Sequence, residues 1–242
     1  MAKTDIARAS ALLDRFDPGR SRKARLPRPF IVELTGPSNS GKTTLLDRLY
    51  VASKAAGFEA AKVPEGAEAV PPPRVLPDYN FRTADYALEK IRQCALDKNL
   101  HLALLDRGPV DAAVRMETFV HDGLLTEAER DVEQAHYLSR FVRANLDLHV
   151  WLMVRPDTAL ARKFGSDHAE RAARGELKYS TTTNPAALQV MWDAHQAVWD
   201  RLGCAQDPRM LWYDTSDRTP EEVFAAVFSA MLDAFERRLA AP

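Results

Sequence analysis

Between residues 30 and 235 the chain alternates short apolar runs with longer stretches in which apolar residues return every three or four positions. The runs predict strands near residues 30–35, 58–63, 101–106, 147–153 and 209–213. Phe30-Ile31-Val32-Glu33-Leu34 and His101-Leu102-Ala103-Leu104-Leu105 are nearly continuous rather than alternating, as strands of a parallel sheet covered on both faces are. Between the runs, Leu88, Ile91 and Ala95 keep helical spacing. Thr126-Glu127-Ala128-Glu129 reads as a capping box that opens a long helix reaching about Asn145. Asn184-Pro185 opens another, with Leu188, Met191, Trp192, His195, Val198, Trp199 and Leu202 on one face and Gly203 as its stop. Thr219-Pro220-Glu221-Glu222 caps the last, with Val223, Val227, Met231 and Phe235 inward. The aromatic residues on these faces read as core.

Three stretches break the alternation. Residues 1–28 form an N-terminal extension to a domain spanning 29–242. Ile6, Ala9, Leu12, Leu13 and Phe16 line one face of a short helix that Asp17-Pro18-Gly19 ends, and Arg20, Arg22, Lys23, Arg25 and Arg28 make a basic linker. Pro64 to Asp78 holds Pro64, Pro71, Pro72, Pro73 and Pro77 and reads as a stiff irregular loop. Residues 163–183 are polar, contain Gly165 and Gly175, and read as a mobile lid. Ligands of open α/β sheets sit beyond the carboxyl ends of the strands, so the second and third of these stretches border any site there.

Composition narrows the class. At 242 residues the chain can bury one sizeable core. Its formal net charge of −1 supplies no field to attract nucleic acid or an anionic membrane, so neither is expected as a partner. Cys94 and Cys204 have no metal-ligand spacing and fit a reducing cytoplasm. No apolar run approaches the length of a membrane span.

The chemistry begins where the first strand ends. Gly36-Pro37-Ser38-Asn39-Ser40-Gly41-Lys42-Thr43, followed by Thr44 and a helical segment, is a G-x-x-x-x-G-K-T loop between strand and helix. Its two glycines let backbone N–H groups turn inward on phosphate oxygens, and the helix N-terminus adds positive potential. Lys42 is placed to reach the β- and γ-phosphates, and the Thr43 hydroxyl to ligate Mg²⁺. The third run ends in Asp106, a second Mg²⁺-holding carboxylate, and Arg107 directly after it can stabilise a transferring phosphoryl group. Beyond the second run, Glu65 is placed to accept a proton from an attacking hydroxyl, with Glu68 as its rival. After the fourth, Arg155, Arg162, Arg171 and Arg174 supply cations for a lid that closes over a triphosphate, with Arg162 and Arg171 the catalytic candidates. His121, His136, His149, His168 and His195 show no ligand spacing and read as surface or core histidines.

Together these residues resemble the P-loop nucleoside and nucleotide kinases, particularly the thymidylate kinase and deoxynucleoside kinase branch, over roughly residues 30–235. Gly36 to Thr43 match the Walker A loop, Glu65 the glutamate after the second strand, Asp106-Arg107 the Asp/Glu-Arg motif, and Pro156-Asp157…Arg162 the start of the lid. Leu211 to Ser216 resemble the last strand and the turn near the adenine. Two positions depart from the pattern: Gly66 stands where the deoxynucleoside kinases usually have proline, and Gly108 where thymidylate kinases have an aromatic residue. The resemblance implies a three-layer α/β sandwich with a five-stranded parallel sheet in the order 2-3-1-4-5. It also implies ATP with Mg²⁺ and transfer of the γ-phosphoryl group to a nucleoside, nucleotide or similar metabolite. Phe81, Arg82 and Tyr86 are candidates to line the acceptor pocket, and Phe119, Phe141 and Val142 leave room for a homodimer. A regulatory ATPase or switch, and a toxin- or antibiotic-modifying kinase, share the donor chemistry and remain open alternatives.

Overall fold

A computed structural model describes residues 3–16, 28–180 and 182–240 of the chain. Five strands, β1 (Phe30–Thr35), β2 (Ala60–Val63), β3 (Leu102–Asp106), β4 (Leu148–Met153) and β5 (Met210–Asp214), form one sheet in the order β2-β3-β1-β4-β5. All four pairings are parallel. The register sets Val32 beside Leu104 and Leu148, and Leu34 beside Asp106 and Val150. β1 is therefore the central strand, and the chain reverses direction across the sheet between β1 and β4. At that switch point the carboxyl ends of neighbouring strands splay apart and leave a crevice.

Alternation along β1 divides the core in two. Phe30, Val32 and Leu34 face α1 (Lys3–Phe16), α2 (Lys42–Ala55) and α11 (Pro220–Ala240), where Leu49, Phe228 and Phe235 are fully buried. Ile31 and, on β3, Ala103 and Leu105 face α4 (Asp78–Leu96), α5 (Pro109–His121), α6 (Glu127–Tyr137) and α7 (Arg140–Asn145). Trp151 on β4 packs under α5 and α10 (Pro185–Arg201), among Trp199, Trp212 and His195. Of the aromatic residues on α10, His195 is buried and Trp199 packs against this cluster, whereas Trp192 is half-buried, edge-on to Trp212. The remaining helices are α3 (Gly66–Ala69), α8 (Pro156–Phe164) and α9 (His168–Ala173).

Several expectations change on contact with the structure. Helix 126–145 is two helices: the Thr126 box forms as expected, but Leu138 and Ser139 end α6, and Arg143 N–H starts again on the Ser139 carbonyl. The break turns Val142 into the core beside Tyr137. The proline-rich loop carries the short α3, and the segment after α8 carries α9, so neither is wholly irregular. At the N-terminus, Ala9, Leu12 and Leu13 lie in the same core as α2 and α11, and Arg8 pairs with Asp233 at 2.5 Å. The Phe16 side chain, the Asp17-Pro18-Gly19 stop, and Arg20, Arg22, Lys23 and Arg25 lie outside the described residues. Arg28 is described, and its guanidinium donates to Asp147 Oδ2 at 2.7 Å. Phe119 and Val142 are buried within the chain, leaving Phe141 as the exposed one of the three, beneath the Arg92 guanidinium.

Candidate functional site

The loop from Gly36 to Thr43 joins β1 to α2 at the switch point. Gly36 has φ +147°, and a Cβ on it would sit 2.0 Å from the Leu152 carbonyl oxygen of the neighbouring strand. Only glycine lets the loop leave the sheet there. The Lys42 ammonium folds back along the loop and donates to the Gly36 and Pro37 carbonyls, each at 2.8 Å. Burial, then the nearby Arg107 charge, lower its pKa to about 7. An anion at this point restores the charge, which is the behaviour a phosphate cradle requires.

Thr43 Oγ1 donates to Asp106 Oδ2 at 2.7 Å, while the other Asp106 oxygen, Oδ1, is buried without a hydrogen-bond partner. Ser38, Asn39, Gly41, Lys42, Thr43, Thr44, Asp106, Glu65, Arg107, Lys163 and Thr183 enclose a cavity of about 380 Å³. Gly36 and Pro37, whose carbonyls hold Lys42, and Ser40, buried within the loop, complete the expected phosphate-binding set without lining it.

Arg107 is the hub. It takes a left-handed backbone conformation, φ +63°, which is rare for a side chain of its size and turns the guanidinium back over the loop. Its Nη1 donates to both oxygens of Asp111 at 2.8 Å and to the Gly36 carbonyl at 3.2 Å. Its Nε stands 2.9 Å from Glu65 Oε1, an ion-pair distance without the alignment of a hydrogen bond. Burial works against this charge, but Asp111, Glu65 and Asp106 outweigh it and hold the guanidinium protonated. Asp111 in turn accepts from Thr35 Oγ1 at 2.6 Å and from the Gly36 N–H at 3.3 Å, so one carboxylate ties the loop's first residue to Arg107. Burial alone would raise the Asp111 pKa, yet Arg107 and Lys42 keep it well below the usual carboxylate range.

Beneath this layer lies Glu33, fully buried on β1. Its Oε1 accepts the N–H groups of Val110 and Asp111 at the start of α5, each at 3.1 Å. A Cβ on Gly108 would come within 2.6 Å of the Glu33 carboxyl carbon. An aromatic residue after Arg107 is therefore incompatible with this buried glutamate. Burial pushes Glu33 up to about 8 and His149, 3.6 Å away on β4, down to about 3, so both are neutral near pH 7.

The remaining expected residues divide. Glu65 joins the cavity, whereas Glu68 points to solvent on α3 and lines no cavity around the loop. Arg162 reaches the loop from its outer side, donating to the Asn39 carbonyl at 3.2 Å and to Thr215 Oγ1 at 3.0 Å. It lines a separate cavity of about 400 Å³ with Thr44, Arg48, Arg218 and Val223, outside the cavity of the Gly36–Thr43 loop. Arg171 does not reach the loop: it donates to the Phe164 carbonyl at 2.9 Å and pairs with Asp167 at 3.7 Å. Arg174 pairs with Glu176, and Arg155 with Asp217. The cation this segment delivers to the cavity of the Gly36–Thr43 loop is Lys163, which donates to Thr183 Oγ1 at 3.3 Å. Gly165, φ +98°, ends α8 just after Lys163 and sends α9 elsewhere.

A second cavity of about 370 Å³ opens between α4 and α5, lined by Tyr79, Asn80, Thr83, Ala84 and Ala87 on one side and Asp111, Ala112, Arg115 and Phe119 on the other. Phe81, Arg82 and Tyr86 lie on other faces of α4. Arg82 donates to the Pro71 and Pro73 carbonyls instead, bracing the proline-rich loop.

This sheet order and strand–loop–helix crossing define a P-loop α/β fold. Among solved structures the chain is similar to deoxyadenosine kinase from M. mycoides with bound dATP, with a TM-score of 0.53 and 15% sequence identity over 83% of this chain and 97% of that one. At that identity the likeness concerns the fold. No protein-family model matches the chain, and no curated protein matches it in sequence. No helix among the described residues is long and apolar enough to cross a membrane.

Proposed function

We propose that this chain is an ATP- and Mg²⁺-dependent kinase that transfers the γ-phosphoryl group to a small acceptor, a nucleoside, nucleotide or similar metabolite. One observation carries the reading. Glu65 and Arg107 are the two residues common to the cavity of the Gly36–Thr43 loop and the cavity between α4 and α5. A donor site and a separate acceptor-sized site therefore meet at a carboxylate and a guanidinium, the pair that phosphoryl transfer to an acceptor uses. A nucleotide hydrolase has no need of the second cavity. The similar fold of a deoxyadenosine kinase that binds dATP agrees with this reading.

In this scheme the loop N–H groups and Lys42 hold the β- and γ-phosphates, and Lys163 approaches from the lid side. The adenine lies in the outer cavity beside Arg162 and Thr215. Mg²⁺ fits the Thr43 hydroxyl and the unpartnered Asp106 Oδ1. No group of three or more acidic, histidine or cysteine residues suited to a metal is found among the described residues, which suits an ion that takes most of its oxygens from phosphate and water. When bound, the ion neutralises phosphate charge. Glu65 accepts the proton of an attacking hydroxyl, or orients an acceptor that carries none. Arg107, fixed by Asp111, meets the transferring group without having to reorganise.

Acceptor-stimulated ADP release across nucleosides, nucleotides, sugars and aminoglycosides tests the proposal. Lys42→Ala should lower transfer by about 10³-fold. Glu65→Gln should lower kcat by about 10²-fold with ATP still bound. Transfer by Lys42→Ala within a few-fold of wild type would overturn the assignment.

A further inference from the structure

The cavity between α4 and α5 is flanked by another of about 320 Å³ between α5 and α10, and Arg107 and Arg115 line both. Arg115 lies one helical turn beyond Asp111. Helical side chains lean back toward the N-terminus, which carries its guanidinium toward Arg107, Asp111 and Glu65, the groups whose charges act on it together with Asp122. Its neighbours are already engaged. Asp111 accepts from Arg107, Thr35 and Gly36, and Glu65 is paired with Arg107. Asp122 is exposed at the far end of α5. The Arg115 carbonyl accepts from Thr118 Oγ1 at 2.7 Å, but its guanidinium makes no hydrogen bond or ion pair among the described residues.

None of its nitrogens is fully buried, so in the free protein its five donors meet the solvent of the two cavities, and a ligand that displaces that solvent must replace it. Burial, and then the Arg107 charge, both work against its protonated form. The lining of the larger cavity repeats the imbalance: Arg74, Arg107 and Arg115 face Glu65 and Asp111, one positive charge in excess. Arg74 is engaged with the Ala67 carbonyl and the Tyr79 ring, so the uncommitted cation is Arg115. A neutral acceptor would leave it unpaired and cut off from water. An oxyanion would accept its planar fork through two parallel hydrogen bonds.

We propose that the acceptor carries an oxyanion, a phosphate monoester or a carboxylate, and that Arg115 binds it at the seam of the two cavities. This rests on the kinase reading for the word acceptor, and on the cavity and its unpaired guanidinium for the charge. It separates acceptors that are already anionic from the neutral nucleosides and sugars that the donor site alone cannot distinguish.

Calorimetric titration of the full chain with Mg·ADP present tests it, using matched pairs: nucleosides and their 5′-monophosphates, ribose and ribose 5-phosphate, glucose and gluconate. The expected result is an anionic member that binds at least about 10-fold more tightly than its neutral counterpart. Arg115→Met should raise its Kd about 100-fold while the Kd for Mg·ADP stays within about two-fold. Arg115→Lys, which keeps the charge without the fork, should recover part of the loss and shows the role even if the methionine variant folds poorly. The phosphate and carboxylate arms tell which oxyanion is bound. Equal affinity for a neutral counterpart, unchanged discrimination in Arg115→Met, equal weakening of both members, or no binding by any anion would each overturn the proposal. Anion binding of the expected kind without phosphoryl transfer would instead remove the kinase reading and leave the oxyanion site standing.

Discussion

Two walls of the cavity at the Gly36–Thr43 loop are built in opposite ways. On the β1–β3 side, Asp111, Arg107, Glu65, Thr35 and Gly36 form one continuous network in which each charge is held by groups from a different element. Along α9 the arginines pair with close neighbours: Arg171 with Asp167, Arg174 with Glu170 and Glu176. The first arrangement fixes a guanidinium before any ligand arrives. The second leaves Lys163 and Thr183 at the cavity and commits the arginines to the segment's own shape. A change on the first wall should spread across the site, whereas a change on the second should stay local.

Asp111→Asn should produce the largest effect. Arg107 and Asp111 have side-chain exposures of 17% and 10%, so removing the carboxylate charge leaves a largely buried guanidinium without its main counter-ion. The expected cost is about 3 kcal/mol of stability in chemical denaturation. Transfer should fall about 10²-fold as Arg107 loses its fixed position. Loss of transfer with no loss of stability would mean that Asp111 contacts the substrate and does not hold the wall.

Glu33→Gln probes the layer under that wall through pH. With its folded pKa raised to about 8, native Glu33 keeps a proton that the unfolded chain releases above about pH 4.5, so this group's contribution to stability falls as pH rises. Lys42, lowered to about 7, works in the opposite sense above that pH, and His149 and His195, lowered to about 3 and about 4, act only in more acidic solution. Comparing wild type with Glu33→Gln cancels those groups. The glutamine oxygen can still accept from Val110 and Asp111, and its amide faces the unpartnered Nδ1 of His149. From pH 6.5 to pH 8 the variant should gain about 2 kcal/mol relative to wild type in urea unfolding. A pH-independent difference would show Glu33 ionised in the native protein.

What the sequence made legible follows the same division. The loop at Gly36–Thr43 is contiguous, and its chemistry is written in adjacent residues. The strand order follows from the resemblance, and the nearly continuous apolar runs marked every strand to within two residues. Glu65 was also within reach, because a carboxylate just past a strand end lands where the parallel sheet opens. Glu33 and Asp111 were not. Glu33 lies inside an apolar run, and its partner N–H groups belong to a helix about 75 residues later in the chain, brought near by the β1–β3 pairing. The sign that could have found it is the pair of departures from apolar character in one buried layer, Glu33 and His149, beside a glycine where the related pattern has an aromatic ring. Arg162 and Arg171 do not line the cavity of the Gly36–Thr43 loop, for a different reason. Composition counts cations in a segment but not what holds them: Asp167 and the Phe164 carbonyl claim Arg171, and the Asn39 carbonyl and Thr215 claim Arg162. The split between α6 and α7 escaped because a capping box marks where a helix begins and carries no information on where it ends.

The smallest effects should come from the other wall, and there the two cations should part. Lys163 lines the phosphate cavity, so Lys163→Ala should raise the KM for ATP about 10-fold, the loss expected when a single partly exposed charge stops meeting a phosphate. Arg171 is spent on the Phe164 carbonyl and Asp167, so Arg171→Ala should change kcat and KM by no more than about two-fold, with a stability change within about 0.5 kcal/mol. Steady-state kinetics on the two variants, at saturating acceptor, decides the matter. If Arg171→Ala lowered kcat while Lys163→Ala left it unchanged, α9 would have to swing over the cavity during the reaction and break the Asp167 pair to do so. The second wall would then be the one that moves, and its internal ion pairs would be the latch that holds it open between turnovers.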